Sequence, residues 1–360
     1  MMETNASVRL RTWLRWLGIP YELAARFRRW GYERGWLRTQ RLPRPVISVG
    51  NLTMGGTGKT PMVMHLVERL TAQGKRVAVL SRGYRRRSRA RQLLVSDGLR
   101  VLAGPEEAGD EPYLIARRCP HAVVAVGADR YALGQWVLSR VPVDCFLLDD
   151  GFQHVQLHRD VNLLLVDATD LAGIQAALPI GRLREPLSAA ARATAILITR
   201  AGKEQNVNAV WRLLVRACGS LPPPILVGFP AEEFRRVGGE ESRPLTAFHG
   251  RVAVLFSGIG KAGPFHALAA GSGVTAAETL EFPDHVHYTE GMAEMIRAKA
   301  KACGADLWVT TEKDADKIAP FLSSTDFCWA IRLRTEILRG EDELKQLLQL
   351  GPPETEAGHA

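Results

Sequence analysis

The sequence predicts an α/β fold: a mostly parallel sheet flanked by helices, a second, smaller α/β unit after it, and amphipathic helices at the N-terminus. Three observations predict this. From residue 45 onward, short β-branched runs alternate with amphipathic stretches at the spacing of strand–helix units. A Gly-rich segment ending in a lysine lies between the first of those strands and the helix that follows it. Charge is concentrated at one end: the 360 residues carry +9, and residues 1–45, with ten Arg, no Lys and three Glu, hold +7 of it.

Residues 1–44 come first. Leu10, Trp13, Leu14 and Leu17 follow i, i+3, i+4, i+7 spacing, with Arg9, Arg11 and Arg15 between them. After Pro20 the stripe resumes as Leu23, Phe27 and Trp30, beside Arg26, Arg28 and Arg29. Half of the eight tryptophans fall in this stretch. Arg-rich amphipathic helices with Trp on the apolar face suit a bilayer interface and favour anionic lipid. The same stripe equally suits packing on a domain with the arginines in water. No stretch approaches the ~18 apolar residues of a spanning helix, and none near the start is long enough for a signal peptide. No zinc-finger or RNP1 pattern accompanies the arginines, and the rest of the chain is almost neutral, which speaks against a nucleic-acid partner.

The core unit spans 45–224. Its candidate strands are Val46–Val49, Val77–Leu80, Val123–Val126, Cys145–Leu148, Leu163–Val166 and Ala195–Thr199, with amphipathic segments at Met62–Leu70 and Tyr113–Arg118. The Leu221-Pro-Pro-Pro224 run reads as its end. Ile225–Gly228, Val252–Ser257, Thr279–Phe282 and Leu307–Thr310 then supply a smaller unit over 225–350, and 351–360 form a polar tail. Cys119, Cys145, Cys218, Cys303 and Cys328 are odd in number and include no Cys-x-x-Cys pair, so they read as free thiols and offer no zinc site.

The sharpest local signal is Val46-Ile-Ser-Val-Gly-Asn-Leu-Thr-Met-Gly-Gly-Thr-Gly-Lys-Thr60. A buried-looking strand runs into a glycine-rich loop, and Gly58-Lys59-Thr60 opens a helix. Glycines let backbone N–H groups close around phosphate oxygens with a helix N-terminus behind them. Thr53, Met54, Gly55, Gly56, Thr57, Gly58, Lys59 and Thr60 are thus the candidate phosphate cradle, with Lys59 reaching the β- and γ-phosphates and the Thr60 hydroxyl Mg²⁺. The general P-loop pattern has Gly where this chain has Thr53. A second strand should end in a metal-handling carboxylate, and Cys145–Leu148 runs into Asp149 and Asp150. Asp110 and Glu111, at the start of a helical segment, read either as capping residues or as a base and a metal-shell carboxylate. Asp284-His285, after a strand and a proline, reads as a turn facing a cleft.

Together these residues resemble the tetraacyldisaccharide 4′-kinase family of lipid A biosynthesis. The match runs through Ser48–Pro61, Leu80-Ser-Arg-Gly-Tyr84, Glu107–Pro112, Ala128-Asp-Arg-Tyr131 and Leu148–His154. It continues through Leu178–Leu187, Phe256–Gly260, Phe282–His285 and Thr310-Thr-Glu-Lys-Asp314, covering roughly residues 20 to 340 in order. The Thr53 departure fits this family's own pattern. The resemblance implies transfer of the γ-phosphate of ATP to the 4′-hydroxyl of tetraacyldisaccharide 1-phosphate, giving lipid IVA. It implies Asp110 as the base, His285 as its partner from the second unit, and Lys59 at the phosphates. It further implies Glu111, Asp149 and Asp150 with Thr60 on Mg²⁺, and Arg130, Arg184 and Glu185 at the disaccharide. A four-chain lipid leaves a bilayer at a cost of about 0.8 kcal/mol per CH₂, so the enzyme must come to it. The N-terminal helices then read as a dock on anionic phospholipid at the cytoplasmic face of the inner membrane, with no obligate protein partner implied. The run from Arg82 to Arg91 either adds to that surface or is a solvated loop. Two competitors are a switch ATPase or GTPase and a nucleic-acid-dependent NTPase. The absence of an Asn-Lys-x-Asp motif argues against a GTPase, and the near-neutral body against the latter.

Overall fold

The computed structural model describes residues 34, 36, 38–176 and 181–349. The N-terminal amphipathic helices, residues 177–180 (which include the start of the Leu178–Leu187 motif) and the polar tail lie outside the described residues. The larger sheet contains β1 (Val46–Asn51), β2 (Val77–Ser81), β3 (Gln92–Asp97), β4 (Val123–Gly127), β5 (Cys145–Asp149), β6 (Val161–Asp167), β7 (Ala195–Thr199) and β8 (Ile225–Gly228). Helices α1 (Lys59–Ala72), α2 (Pro105–Ala108), α3 (Asp110–Arg118), α4 (Arg130–Leu138) and α5 (Glu204–Cys218) connect or flank them.

Strands buried on both faces read as continuous apolar runs, and the central ones here do so. Ile47 and Val49 of β1, with Cys145 and Leu147 of β5, face the layer that holds Met62, Leu66 and Ile115. The alternate residues Val46, Phe146 and Leu148 face the opposite layer with Leu133 and Val137 of α4. β1 and β5 are parallel neighbours with Val49 opposite Asp149, so the glycine-rich loop and the acid pair leave the sheet side by side at its carboxyl end.

The second unit comprises β9 (Ala231–Arg236), β10 (Ser242–Pro244), β11 (Val252–Ser257), β12 (Thr275–Glu281), β13 (Leu307–Thr311) and β14 (Cys328–Leu333). These form one six-stranded sheet in the order β10-β9-β14-β13-β11-β12, with α6 (Gly263–Gly271), α7 (Glu290–Ala302) and α8 (Glu312–Ile318). Val254 and Phe256 pack toward Ile296 of α7, and Ala253 and Leu255 toward Phe265 and Ala269 of α6. The chain then returns: β15 (Glu336–Arg339) pairs antiparallel with β8, and Leu344 and Leu348 of α9 (Glu341–Leu348) join the core of the larger unit. The larger sheet is therefore β15-β8-β7-β6-β1-β5-β2-β4-β3, parallel except at its two edge strands.

This corrects the expected boundary. The sequence pattern puts Ile225–Gly228 in the second unit, yet it pairs in parallel with β7 and buries Ile225 and Val227 in the first core. The Pro run precedes a strand of the larger sheet, and the chain crosses between units at Phe229-Pro230 and again at Arg334-Thr335. The two crossings are tied together where the Arg334 N–H donates to the Pro230 carbonyl at 3.1 Å. The Thr335 hydroxyl donates to the Pro61 carbonyl at 3.1 Å, which anchors the crossing to α1.

Candidate active site

The loop after β1 is folded by its own polar groups. Asn51 Nδ2 donates to Thr57 Oγ1 at 2.9 Å, and Lys59 Nζ donates to Asn51 Oδ1 at 3.2 Å. The Thr199 hydroxyl at the end of β7 donates to the Thr57 carbonyl at 2.9 Å, and Arg200 Nη1 to the Gly56 carbonyl at 2.9 Å. Gly58 enters α1 with φ 89°, and a Cβ there would stand 2.2 Å from the Phe229 ring, so only glycine fits.

The neighbouring strand delivers its acids differently. Asp149 is buried, accepts from the Ser81 hydroxyl at 3.0 Å, and leaves Oδ1 without a hydrogen-bond partner. Burial, then the nearby charges of Glu111 and Asp150, push its carboxyl up to about 7. Asp150 takes Lys59 Nζ at 3.4 Å on Oδ1 and Arg184 Nη1 at 2.9 Å on Oδ2. Burial raises its pKa, but these two cations outweigh burial and hold it below the usual carboxylate range. Among the described residues no three His, Cys, Asp or Glu side chains stand together as a ready-made metal cage. The acids that could serve a cation are tied instead to Ser81, Lys59, Arg184 and Lys313.

Asp110 and Glu111 open α3, behind Gly109 at φ 93°, where a Cβ would meet the Tyr84 carbonyl at 2.9 Å. His285 reaches across from the second unit, with Nδ1 3.1 Å from Asp110 Oδ2. Lys317 Nζ donates to the same oxygen at 3.2 Å, and Lys313 Nζ to Glu111 Oε1 at 2.5 Å. Burial raises the Asp110 pKa, yet the His285 and Lys317 contacts hold it low; the Lys313 charge holds Glu111 low. Further along the same helix pair, Arg118 meets Glu312 at 2.6 Å and Arg117 meets Asp316. Beside Asp110 and His285 lies a cavity of about 810 Å³ lined from both units, with Tyr84, Tyr113 and Arg235 in its wall. Of the four non-glycine residues with positive φ among those described, Arg85 and His285 line this cavity, and Asp150 and Arg200 contact the glycine-rich loop at Lys59 and Gly56. Strained backbone of this kind gathers at functional sites.

The expected site residues thus fall into groups. Thr53 to Thr60 form one loop; Asp149 and Asp150 flank it, with Glu111 close enough to shift the Asp149 carboxyl. Asp110 and His285 meet across the two units, and Arg184 joins the group through Asp150. Glu185 turns aside to Arg192, at 2.8 Å. Arg130 is buried at the start of α4 and donates to the Ala128 carbonyl at 2.8 Å. Sequence reasoning assigned no role to Lys313 and Lys317, nor to Arg200 and Asp167, paired at 2.6 Å beside the loop. The available signal was charge order: acid, acid, then base, base along α3, against two acid–base steps along α8.

A parallel sheet whose first strand feeds a glycine-rich, lysine-bearing loop, with acids on the adjacent strand end, defines the P-loop class of α/β proteins. Residues 10–350 match the family model described as tetraacyldisaccharide-1-P 4′-kinase, and the chain belongs to that family. A tetraacyldisaccharide 4′-kinase of Geobacter metallireducens is 42% identical over 323 residues, 89% of this chain and 93% of that protein. The same-named protein of Aquifex aeolicus is 36% identical over 334 residues, covering 91% and 95%. A crystal structure of LpxK from Aquifex aeolicus in complex with ATP superposes with TM-score 0.75 at 35% identity, covering 94% of this chain and 98% of that one.

Proposed function

We propose that this chain is an ATP-dependent kinase that phosphorylates the 4′-hydroxyl of tetraacyldisaccharide 1-phosphate, forming lipid IVA in lipid A biosynthesis. Within a member of the tetraacyldisaccharide-1-P 4′-kinase family, one observation carries this reading: the Asp110–His285 contact at 3.1 Å, beside the phosphate loop. The backbone N–H groups from Gly55 to Thr60 bind the phosphates. Lys59, held at the loop mouth by Asn51 and Asp150, turns to the β- and γ-phosphates. Asp110, kept ionised by His285 and Lys317, accepts the proton of the 4′-hydroxyl. The freed oxygen forms a bond to the γ-phosphorus while the bond to the β–γ bridging oxygen breaks, and ADP leaves with that electron pair.

Thr60, Glu111, Asp149 and Asp150 would hold Mg²⁺. The unpartnered Asp149 Oδ1 and the all-oxygen donor set suit a hard cation that keeps several waters and takes only one or two carboxylates. When bound, Mg²⁺ neutralises charge on the β- and γ-phosphates. Within the disaccharide set, Arg184 bonds Asp150 directly, Arg130 lies close enough to Asp149 and Asp150 to feel their charge, and Glu185 pairs with Arg192. No helix among the described residues is long and apolar enough to cross a membrane. The Arg- and Trp-rich N-terminal stripe supports docking on anionic phospholipid at the cytoplasmic face of the inner membrane.

Transfer of labelled γ-phosphate from ATP to tetraacyldisaccharide 1-phosphate in detergent micelles tests the activity. A labelled lipid that is lost with Lys59→Ala is expected. Free phosphate with no labelled lipid would overturn it in favour of a hydrolase.

A further inference from the structure

One turn of α8 reaches both members of the Asp110–His285 pair: Lys317 touches Asp110 directly, and Asp314 reaches His285 through Gly258. Lys317, with its side chain 9% exposed, places Nζ 3.2 Å from Asp110 Oδ2 and 3.2 Å from Asp314 Oδ1. Asp314, whose side chain is fully buried, accepts the Gly258 N–H at 3.0 Å and the Thr311 hydroxyl at 2.7 Å. Gly258 in turn accepts the His285 N–H at 3.2 Å, and His285 sits at φ 60°, a backbone state that bulky residues keep only when their surroundings enforce it. The contacts close a ring: Asp110 to His285, His285 to Gly258, Gly258 to Asp314, Asp314 to Lys317, and Lys317 back to Asp110.

We infer that Lys317 and Asp314 are positioning residues for the Asp110–His285 pair: Asp314 fixes the His285 loop and Lys317 fixes the Asp110 carboxylate, so one helical turn of the smaller unit sets the geometry of both. The inference rests on the reading of Asp110 as the base. It differs from a general brace between the units, because α3 and α8 also share the Arg117–Asp316 and Arg118–Glu312 pairs, which hold the same two helices without touching His285 or Asp110. Asp314 is the poorer residue to change, since its loss strands a buried N–H and a buried ammonium together. Lys317 is the better probe.

The test is steady-state transfer of phosphate to tetraacyldisaccharide 1-phosphate by the full chain with Lys317→Met, Lys317→Arg and Arg117→Met, beside Asp110→Ala. Lys317→Met is expected to lower kcat about 10- to 100-fold with KM for ATP changed less than about twofold. Lys317→Arg restores most of that loss, and Arg117→Met stays within about twofold of the parent. In an Asp110→Asn background, Lys317→Met should cost less than about threefold more, since a residue that acts through Asp110 has nothing left to position. Lys317→Gln provides the same reading where the Met protein does not fold. Unchanged kcat in Lys317→Met, or an equal loss in Arg117→Met, overturns the positioning role while Asp110→Ala still abolishes turnover. Near-normal turnover in Asp110→Ala overturns the base assignment itself, and the inference with it.

Discussion

Lys313 Nζ lies 2.5 Å from Glu111 Oε1, an ammonium of the smaller unit set against a carboxylate beside the phosphate loop. The two are 202 positions apart in sequence, so the contact exists only when the two units meet. A cation arriving at Glu111 must displace that ammonium. In the nucleotide-free protein, Lys313→Met is therefore expected to tighten Mg²⁺ binding about 3- to 10-fold, as one competing charge at short range is removed. The Mg²⁺ concentration needed for half-maximal thermal stabilisation measures it; an unchanged or higher midpoint would show that Glu111 takes no part in holding the cation.

Asp149 is expected to make Mg²⁺ binding depend on pH. Its carboxyl is pushed up to about 7 in the fold, whereas in the unfolded chain it ionises near its ordinary value. The folded form thus holds a proton that the unfolded chain has already released. The metal-free protein loses stability as pH rises through the interval between those two values. A divalent cation needs the ionised form, so the Tm gain on adding Mg²⁺ should be larger at about pH 8 than at about pH 6. Equal gains at both would place the titrating proton elsewhere.

Gly109 couples backbone to chemistry. At φ 93° and with a Cβ 2.9 Å from the Tyr84 carbonyl, Gly109→Ala adds strain of about 1–3 kcal/mol and moves the start of α3, where Asp110 and Glu111 sit. Chemical denaturation should register the destabilisation. Turnover should fall more than ATP affinity, because the loop of Thr53 to Thr60 is a separate segment.

The N-terminal stripe predicts a surface effect. Deleting residues 1–33 should weaken binding to vesicles containing anionic phospholipid, and raising salt should mimic part of that loss in the parent. Co-sedimentation reads both. Undiminished binding by the shortened chain would remove the interfacial dock.

The glycine-rich loop was legible because its pattern is local: glycines, Lys59 and Thr60 sit within a few residues, between a strand and a helix whose periodicities differ. The acids after β5 were legible for the same reason, following four apolar residues. The placement of Ile225–Gly228 was not, since a four-residue buried strand has the same pattern whichever sheet it joins. Only the free edge of β7 and the return of β15 decide it. The contacts of Lys313 and Lys317 were equally hidden. On a short helix, alternating charges read as a solvated face, and their partners on α3 lie 202 and 207 positions away. Glu185 was legible as a residue but not as a partner of Arg192, a contact made by the turn between them.

In the proposed mechanism, Asp110 of the larger unit and His285 of the smaller one act as a single catalytic pair. A double-mutant cycle on phosphate transfer, with Asp110→Asn, His285→Gln and both together, tests it most directly. Each single change is expected to lower kcat by about 100- to 10,000-fold with ATP affinity little altered, and the double variant should be no worse than the weaker single. Losses that multiply, or near-normal turnover in Asp110→Asn, would contradict the pair.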